Sequence, residues 1–385
     1  MRFGHRRYIL LTGLILFLFR DVADSAIIAT GQVLPSNPMA WTSSQNAYVG
    51  NTADGSLTID DGSTIRSNDV YLGFRPHVTG MAMVSGHGSA WNSRGSFFVG
   101  YLGSGDLSIQ DGAVVNSSSS SVGGSVSSNS VAIVSGVGST WYNQVRLNVG
   151  SSSKGTLTVS AGGVVEIGSN GLRGILSMGT QYGIGGVNLE EGGTLRLRGG
   201  DIELTSTGKA TFNFSGGRLE GVGSFYTYNS GRLIQNGGAL APGNSAGVTR
   251  ILGDYDLRAG SLEIELFGDG GVAGTDYDQL VVTEDVSLGD GATLEVLLNY
   301  PAEVGDSFLI VNQRGSKPVG GLFASHTDLT TAFGDYRYGF SVNYAAGDGN
   351  DIGLTVASIR PIPEPNALAL LLSAGLAVRC RDHKL

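Results

Sequence analysis

YVGNTADGSLTIDDG, residues 48–62, returns as FVGYLGSGDLSIQDG at 98–112 and as NVGSSSKGTLTVSAGG at 148–163. The interval is 50 residues each time, and Trp41, Trp91 and Trp141 keep it. So do Gly50, Gly100 and Gly150. A second string, GMAMVSGHGSAW at 80–91, returns as SVAIVSGVGSTW at 130–141. Strings in register at a period of this size mean stacked modular units. Each unit divides again: Gly50, Gly73, Gly100, Gly123 and Gly150 lie 23 or 27 residues apart. Within GSLTIDDG, Leu57 and Ile59 share one face of an extended chain, and Ser56, Thr58 and Asp60 share the other. Leu107 with Ile109, and Leu157 with Val159, repeat this. Ala82 with Val84, and Ala132 with Val134, fill the same slots in the half-units between.

A single half-apolar strand face cannot bury itself. Stacked coils can, because like residues then pile into inward ladders, with hydrogen bonds between coils about 4.8 Å apart. The glycines mark corners where φ is positive. No 3.6-residue apolar period runs through residues 41–240. The predicted fold is therefore all-β: a right-handed parallel β-helix over residues 30–240, of roughly eight coils and about 40 Å. A sandwich or propeller of 50-residue modules competes. A propeller needs four strands per blade and at least four copies, and three copies are clear. After Ile167 the strict repeat decays, but GGVNLEEGGTLRLRGG at 185–200 and ATFNFSGGRLEG at 210–221 keep its style. Residues 241–358 hold longer strands and fewer glycines, which predicts a C-terminal β region or cap. A rod end needs one, since open coil edges invite end-to-end association.

Composition agrees with a rod. Gly supplies 62 of 385 residues, while only 15% are charged. With Pro at 9 and no three-residue glycine period, collagen is excluded. A net charge of -9 predicts no nucleic-acid partner. The single cysteine, Cys380, excludes an intrachain disulfide framework. The chain ends are distinct. Residues 1–29 read as a signal peptide: Arg2, Arg6 and Arg7 precede the apolar run Tyr8–Phe19, and small residues follow, with cleavage expected near Ala23, Ala26 or Ala29. At the far end, the run ALALLLSAGLAV at 367–378 is preceded by Pro361, Pro363 and Pro365 and followed by Arg379, Arg381 and Lys384.

With Pro363, Glu364 and Pro365 ahead of that run and Arg379 and Arg381 behind it, residues 361–385 resemble the PEP-CTERM sorting and anchor segment of exported bacterial proteins. The resemblance implies an exosortase-type processing protease as partner and transient membrane association through the C-terminal segment. It also implies residence in the cell envelope or outside it. A second resemblance rests on Ala241–Ser245 (APGNS) and Tyr277–Leu280 (YDQL). There the chain is similar to autotransporter-passenger-like repeat proteins. It lacks the series of roughly ten-residue amphipathic strands that an outer-membrane barrel requires, so self-translocation is not expected.

Signals for chemistry are sparse. Gly243-Asn244-Ser245-Ala246-Gly247 matches the nucleophile-elbow spelling, but no helical period follows, so it reads as a turn. His77, His87 and His326 stand apart, and the sister unit replaces His87 with Val137. Glu190 with Glu191, and Glu263 with Glu265, are the carboxylate pairs open to acid/base work. The plainer reading is a soluble exposed face. Asp60, Asp61 and Asp111 do not form a calcium ladder, because the third unit has Ser160 and Ala161 there. Asp269, Asp276 and Asp278 are the candidate calcium ligands, against a plain acidic loop. No other cofactor and no catalytic residue is assigned.

The expected function is structural or adhesin-like: an exported rod of the cell envelope or extracellular matrix that associates with exopolysaccharide or a cell surface. The alternatives are a β-helix polysaccharide lyase or glycoside hydrolase, which predicts acidic and basic side chains converging in one groove, and a fibre subunit that assembles end to end.

Overall fold

A computed structural model describes residues 26–363 apart from 125–127, 170, 206–207, 229–230, 244–245 and 325–327. The chain is a right-handed parallel β-helix of three-sided coils. In the first coil, Gly55–Asp60 forms face 1 and Thr64–Ser67 forms face 2. Val70–Leu72 then returns along face 3 beside Ala47–Val49 of the preceding turn. Face 1 continues in parallel register through Thr79–Ser85, Ser104–Gln110, Asn129–Ser135, Lys154–Ser160 and Ile184–Leu189.

The inward rungs follow the alternation read from the sequence. On face 1 the column runs Leu57, Ala82, Leu107, Ala132, Leu157, Val187, each at most 5% exposed. On face 2 it runs Ile65, Trp91, Val115, Trp141, Val165, Leu195. These columns account for the 50-residue period. A coil with Leu on face 1 carries Ile or Val on face 2, and a coil with Ala on face 1 carries Trp. The largest residue, Trp, goes with the smallest, Ala, and Leu goes with Ile or Val, so the summed side-chain volume stays similar from coil to coil and the cross-section stays filled. Two coil types are needed, and the repeat is twice a coil. Trp41 and Trp91 lie 6.1 Å apart, ring to ring, and the Trp91 indole N–H donates to Ser67 Oγ at 3.1 Å.

Corners explain the glycines. Gly50, Gly100 and Gly150 have φ of +75°, +80° and +70°. A Cβ on Gly50 would lie 2.5 Å from the carbonyl oxygen of Thr79 in the next coil, so both backbone conformation and close approach demand glycine. The turn between faces 1 and 2 uses two positive-φ residues, Asp61-Gly62 and its equivalents Asp111-Gly112 and Ala161-Gly162. Buried Ser89 and Ser139 secure it by accepting the N–H groups of Gly62 and Gly112 in the coil before.

The parallel ladders run on past residue 240. Leu233 pairs with Tyr255, Tyr255 with Val286, and Leu262 with Leu294. Antiparallel pairing closes both ends. Ala26–Gly31 lies against Gly55–Asp60 at the start. At the finish, Asp351–Pro361 lies between Ser307–Gln313 and Tyr336–Ala346. Paired in this way, the terminal coils do not present a long open edge. One expectation is corrected: among the described residues no helix is long and apolar enough to cross a membrane, which conflicts with transient membrane association through the C-terminal segment. Residues 364–385 lie outside the described residues.

Candidate functional site

Two outward surfaces carry side chains beyond what the fold requires. The first is aromatic. On face 3 the residue between the two inward rungs points outward, and in the first coils this is Tyr48, then Tyr71, then Phe98. Their rings stack at 5.1 and 5.2 Å, with planes within 13° of parallel. Phe74 and Tyr101, each one residue past a corner glycine, form a second stack at 5.4 Å that meets the first edge-on. All five rings are half-buried. The Arg75 guanidinium sits 5.6 Å from the Phe74 ring centre. Burial, then the nearby Asp69 carboxylate, pushes the Tyr71 hydroxyl up to about 12. Further along, the column turns polar, through Ser121, Asn148 and Ser177 to Glu203.

The second surface is charged and lies on face 2. Successive rungs place Glu166, Arg196 and Glu220 in one column. Arg196 donates to both Glu166 and Glu220, and Arg198 donates to Glu166 at 2.6 Å. Arg218 donates to Glu220 at 2.5 Å and to Glu263. Burial alone would raise the Glu220 carboxyl, but the hydrogen bonds and charges of Arg218 and Arg196 outweigh it and hold it below its ordinary value. Glu265 goes the other way. Burial raises it, Arg218 opposes, and the neighbouring Glu263 and Glu220 charges raise it further.

Beside this column lies a shallow groove of about 500 Å³, walled by Arg218, Glu263 and Glu295. Its floor is a staircase of corner glycines. A Cβ on Gly217, Gly238 or Gly260 would stand 2.3–2.4 Å from a carbonyl oxygen of the coil before.

Neither a family model, nor a curated protein, nor a solved structure matches the chain.

The residues singled out in the sequence fall as follows. Glu263 and Glu265 share the outward face of one strand, while Glu190 and Glu191 sit in an exposed turn. Asp269, Asp276 and Asp278 are not brought together; among the described residues no group of three or more His, Cys, Asp or Glu side chains is placed to hold a metal ion. Asp278 is buried, accepting from Gly247 N at 2.7 Å and Glu265 N at 3.0 Å. Asp276 accepts from Val272 N at 2.7 Å. His77 and His87 are exposed and apart. Pro363 is exposed, whereas Glu364, Pro365, Arg379 and Arg381 lie outside the described residues, as do Ser245 and His326.

The aromatic surface escaped the sequence reading, and of the charged one only Glu263 and Glu265 were singled out, although each left a signal. An aromatic stands two residues before Gly50, Gly73 and Gly100. Opposite charges recur at matching slots of VVEIG, TLRLRG and GRLEG.

Proposed function

We propose that the protein is an exported scaffold of the cell envelope or extracellular matrix that holds polysaccharide along its side. Residues 1–29 act as the leader, and residues 361–385 act as a sorting signal for an exosortase-type protease. The observation that carries the reading is the five-ring aromatic patch on an otherwise polar, weakly charged rod. The carbon-bound hydrogens of sugar rings settle on aromatic surface, and the hydroxyls find neighbouring polar groups. One patch binds weakly, but a long glycan engaging many rods gains by multivalency.

The test is co-sedimentation with the exopolysaccharide of the producing cells, comparing the native chain with Tyr71→Ala/Phe98→Ala. The expected outcome is retention of the native chain and at least tenfold weaker retention of the variant at unchanged circular dichroism. Equal retention overturns the patch as the contact. Recovery of the chain from the cytoplasm with its leader uncut overturns the export reading.

One observation favours a second reading, a glycan-cleaving enzyme: acidic and basic groups do converge beside a groove on face 2. Glu166, Glu220 and Glu263 are each bound to arginine, and Glu295 of the groove wall is exposed; Glu265, on the same outward strand face as Glu263 and raised by burial, is the proton donor of that reading. Release of reducing ends from polysaccharide by the native chain, abolished in Glu265→Gln, would establish it.

A further inference from the structure

The outward column of face 3 becomes aromatic again beyond its polar stretch. Followed rung by rung from Phe98, it passes Ser121, Asn148, Ser177 and Glu203 and reaches Tyr226. Phe225 and Thr227 on either side are buried, so the Tyr226 ring points outward, in line with the first patch. Tyr228 stacks against it at 5.8 Å, with the planes 16° apart. The two rings wall a cleft of about 340 Å³ that Leu252, Thr283 and Glu284 complete. Leu252 is the next rung of the same column.

Tyr228 is 59% exposed and has a φ of +28°. A bulky side chain rarely adopts positive φ, and glycine would make the turn at lower cost. The turn itself therefore gives no reason for a tyrosine here, whereas an open ring beside a cleft does.

We propose that this cleft is a second saccharide site, and that one polysaccharide strand lies along face 3, parallel to the rod axis, and engages both it and the first patch. The proposal rests on the polysaccharide reading above. Five rungs lead from Phe98 to Tyr226, a span of about 24 Å at about 4.8 Å per rung. The rungs between offer hydrogen-bonding groups instead of rings. There Arg146 donates to Ser177 at 2.8 Å, and Ser177 donates to Glu203 at 2.8 Å. Sugar rings settle on aromatic surface at both ends of the span, and hydroxyls between them meet the polar rungs. Each end alone binds weakly. A strand that reaches both makes the second contact intramolecular, and one that is too short gains nothing. The ligand selected is therefore an extended polysaccharide of at least this length, not a short oligosaccharide.

The test uses the native chain and oligosaccharides from a partial acid hydrolysate of the exopolysaccharide of the producing cells. These are sorted by size into fractions shorter and longer than about 24 Å, and binding is measured by isothermal titration calorimetry. The long fraction is expected to bind at least tenfold tighter than the short one. Tyr228→Gly removes the ring and relieves the positive φ. The melting temperature should then hold within a few degrees, while the long fraction falls to the affinity of the short one. Tyr226→Ser, which puts at this rung the residue type found at Ser121 and Ser177, should have the same effect on binding. Equal affinity of the two fractions for the native chain, or a length step that survives in either variant, overturns the second site and leaves the polysaccharide reading standing. Absence of binding by both fractions overturns both.

Discussion

Between residues 41 and 190 the coils are held by shape, and between 194 and 298 by shape and charge together. In the first region Ala82 and Trp91, then Leu107 and Val115, then Ala132 and Trp141 exchange volume across the interior. Outside, amides and hydroxyls link neighbouring coils, as Asn116 does to Asn92 at 2.7 Å. In the second region the Ala/Trp alternation is gone. Gln235 occupies an inward rung, where it accepts the Tyr255 hydroxyl at 2.6 Å, and arginine–glutamate pairs run along face 2. A strict repeat is kept where each coil type must match its neighbours in volume. It relaxes where side-chain polar contacts take over part of the cohesion.

The largest effect is expected from breaking the volume exchange. Trp141→Val opens a cavity at a fully buried site and costs about 3 kcal/mol. Ala132→Leu overpacks the same coil at about 2 kcal/mol. Together they rewrite an Ala/Trp coil as a Leu/Val coil, so the double variant costs clearly less than the two singles combined. Urea denaturation of the four proteins measures this, and strict additivity would refute the exchange.

The charged region is probed by Arg218→Ala, which leaves Glu220 and Glu263 short of a partner. It costs about 2 kcal/mol, below a fully buried pair because Arg218 is one-third exposed. In 1 M salt that cost shrinks, while the cost of Trp141→Val stays constant. The folded-state value of Glu220 is lowered, so its stabilisation is present above the unfolded carboxylate value and lost as pH falls through the folded one. An acid titration of Arg218→Ala is therefore flatter than that of the native chain.

The two regions were unequally legible in sequence. Coil length, strand positions and inward rungs of the first could be read from Leu57, Leu107 and Leu157, because a period-2 strand inside a fixed period leaves one solution. The matching of Ala82 with Trp91 in one coil could not, since it relates residues on two faces that spacing alone does not align. In the second region insertions shift the register, as between Arg196 and Gly200, and the letters stop lining up before the rungs do. The arginine–glutamate pairing of the charged surface stayed hidden for that reason, although Glu263 and Glu265 themselves stood out. Asp278 looked like a loop carboxylate, and its burial comes from the way the chain folds back on Gly247 and Glu265.

Asp278 makes a contrast within the charged region. Burial outweighs the two N–H groups it accepts and raises its carboxyl to about 7. The sign is opposite to that of Glu220: stability is greatest below the unfolded carboxylate value and declines as pH rises toward about 7. Hydrogen exchange at Gly247 and Glu265, corrected for intrinsic rates, is expected to lose protection between pH 4 and 7. The limit is about tenfold per pH unit. Glu220, held by its arginines, moves the other way, so this local weakening separates from the global titration.

The smallest expected change in stability is on the aromatic column. Phe98 stacks on Tyr71 and packs edge-on against Tyr101, contacts worth about 1 kcal/mol together. The next rung, Ser121, shows that the same backbone accepts serine at this slot. Phe98→Ser therefore extends the polar part of the column by one coil and should lower stability by about that amount, with the coil geometry kept. If the rings serve only to join coils, polysaccharide retention will be unchanged in Phe98→Ser. If they are a binding surface, retention will fall many-fold while the melting temperature moves by a few degrees at most. Only the second outcome gives the first coils a task beyond cohesion.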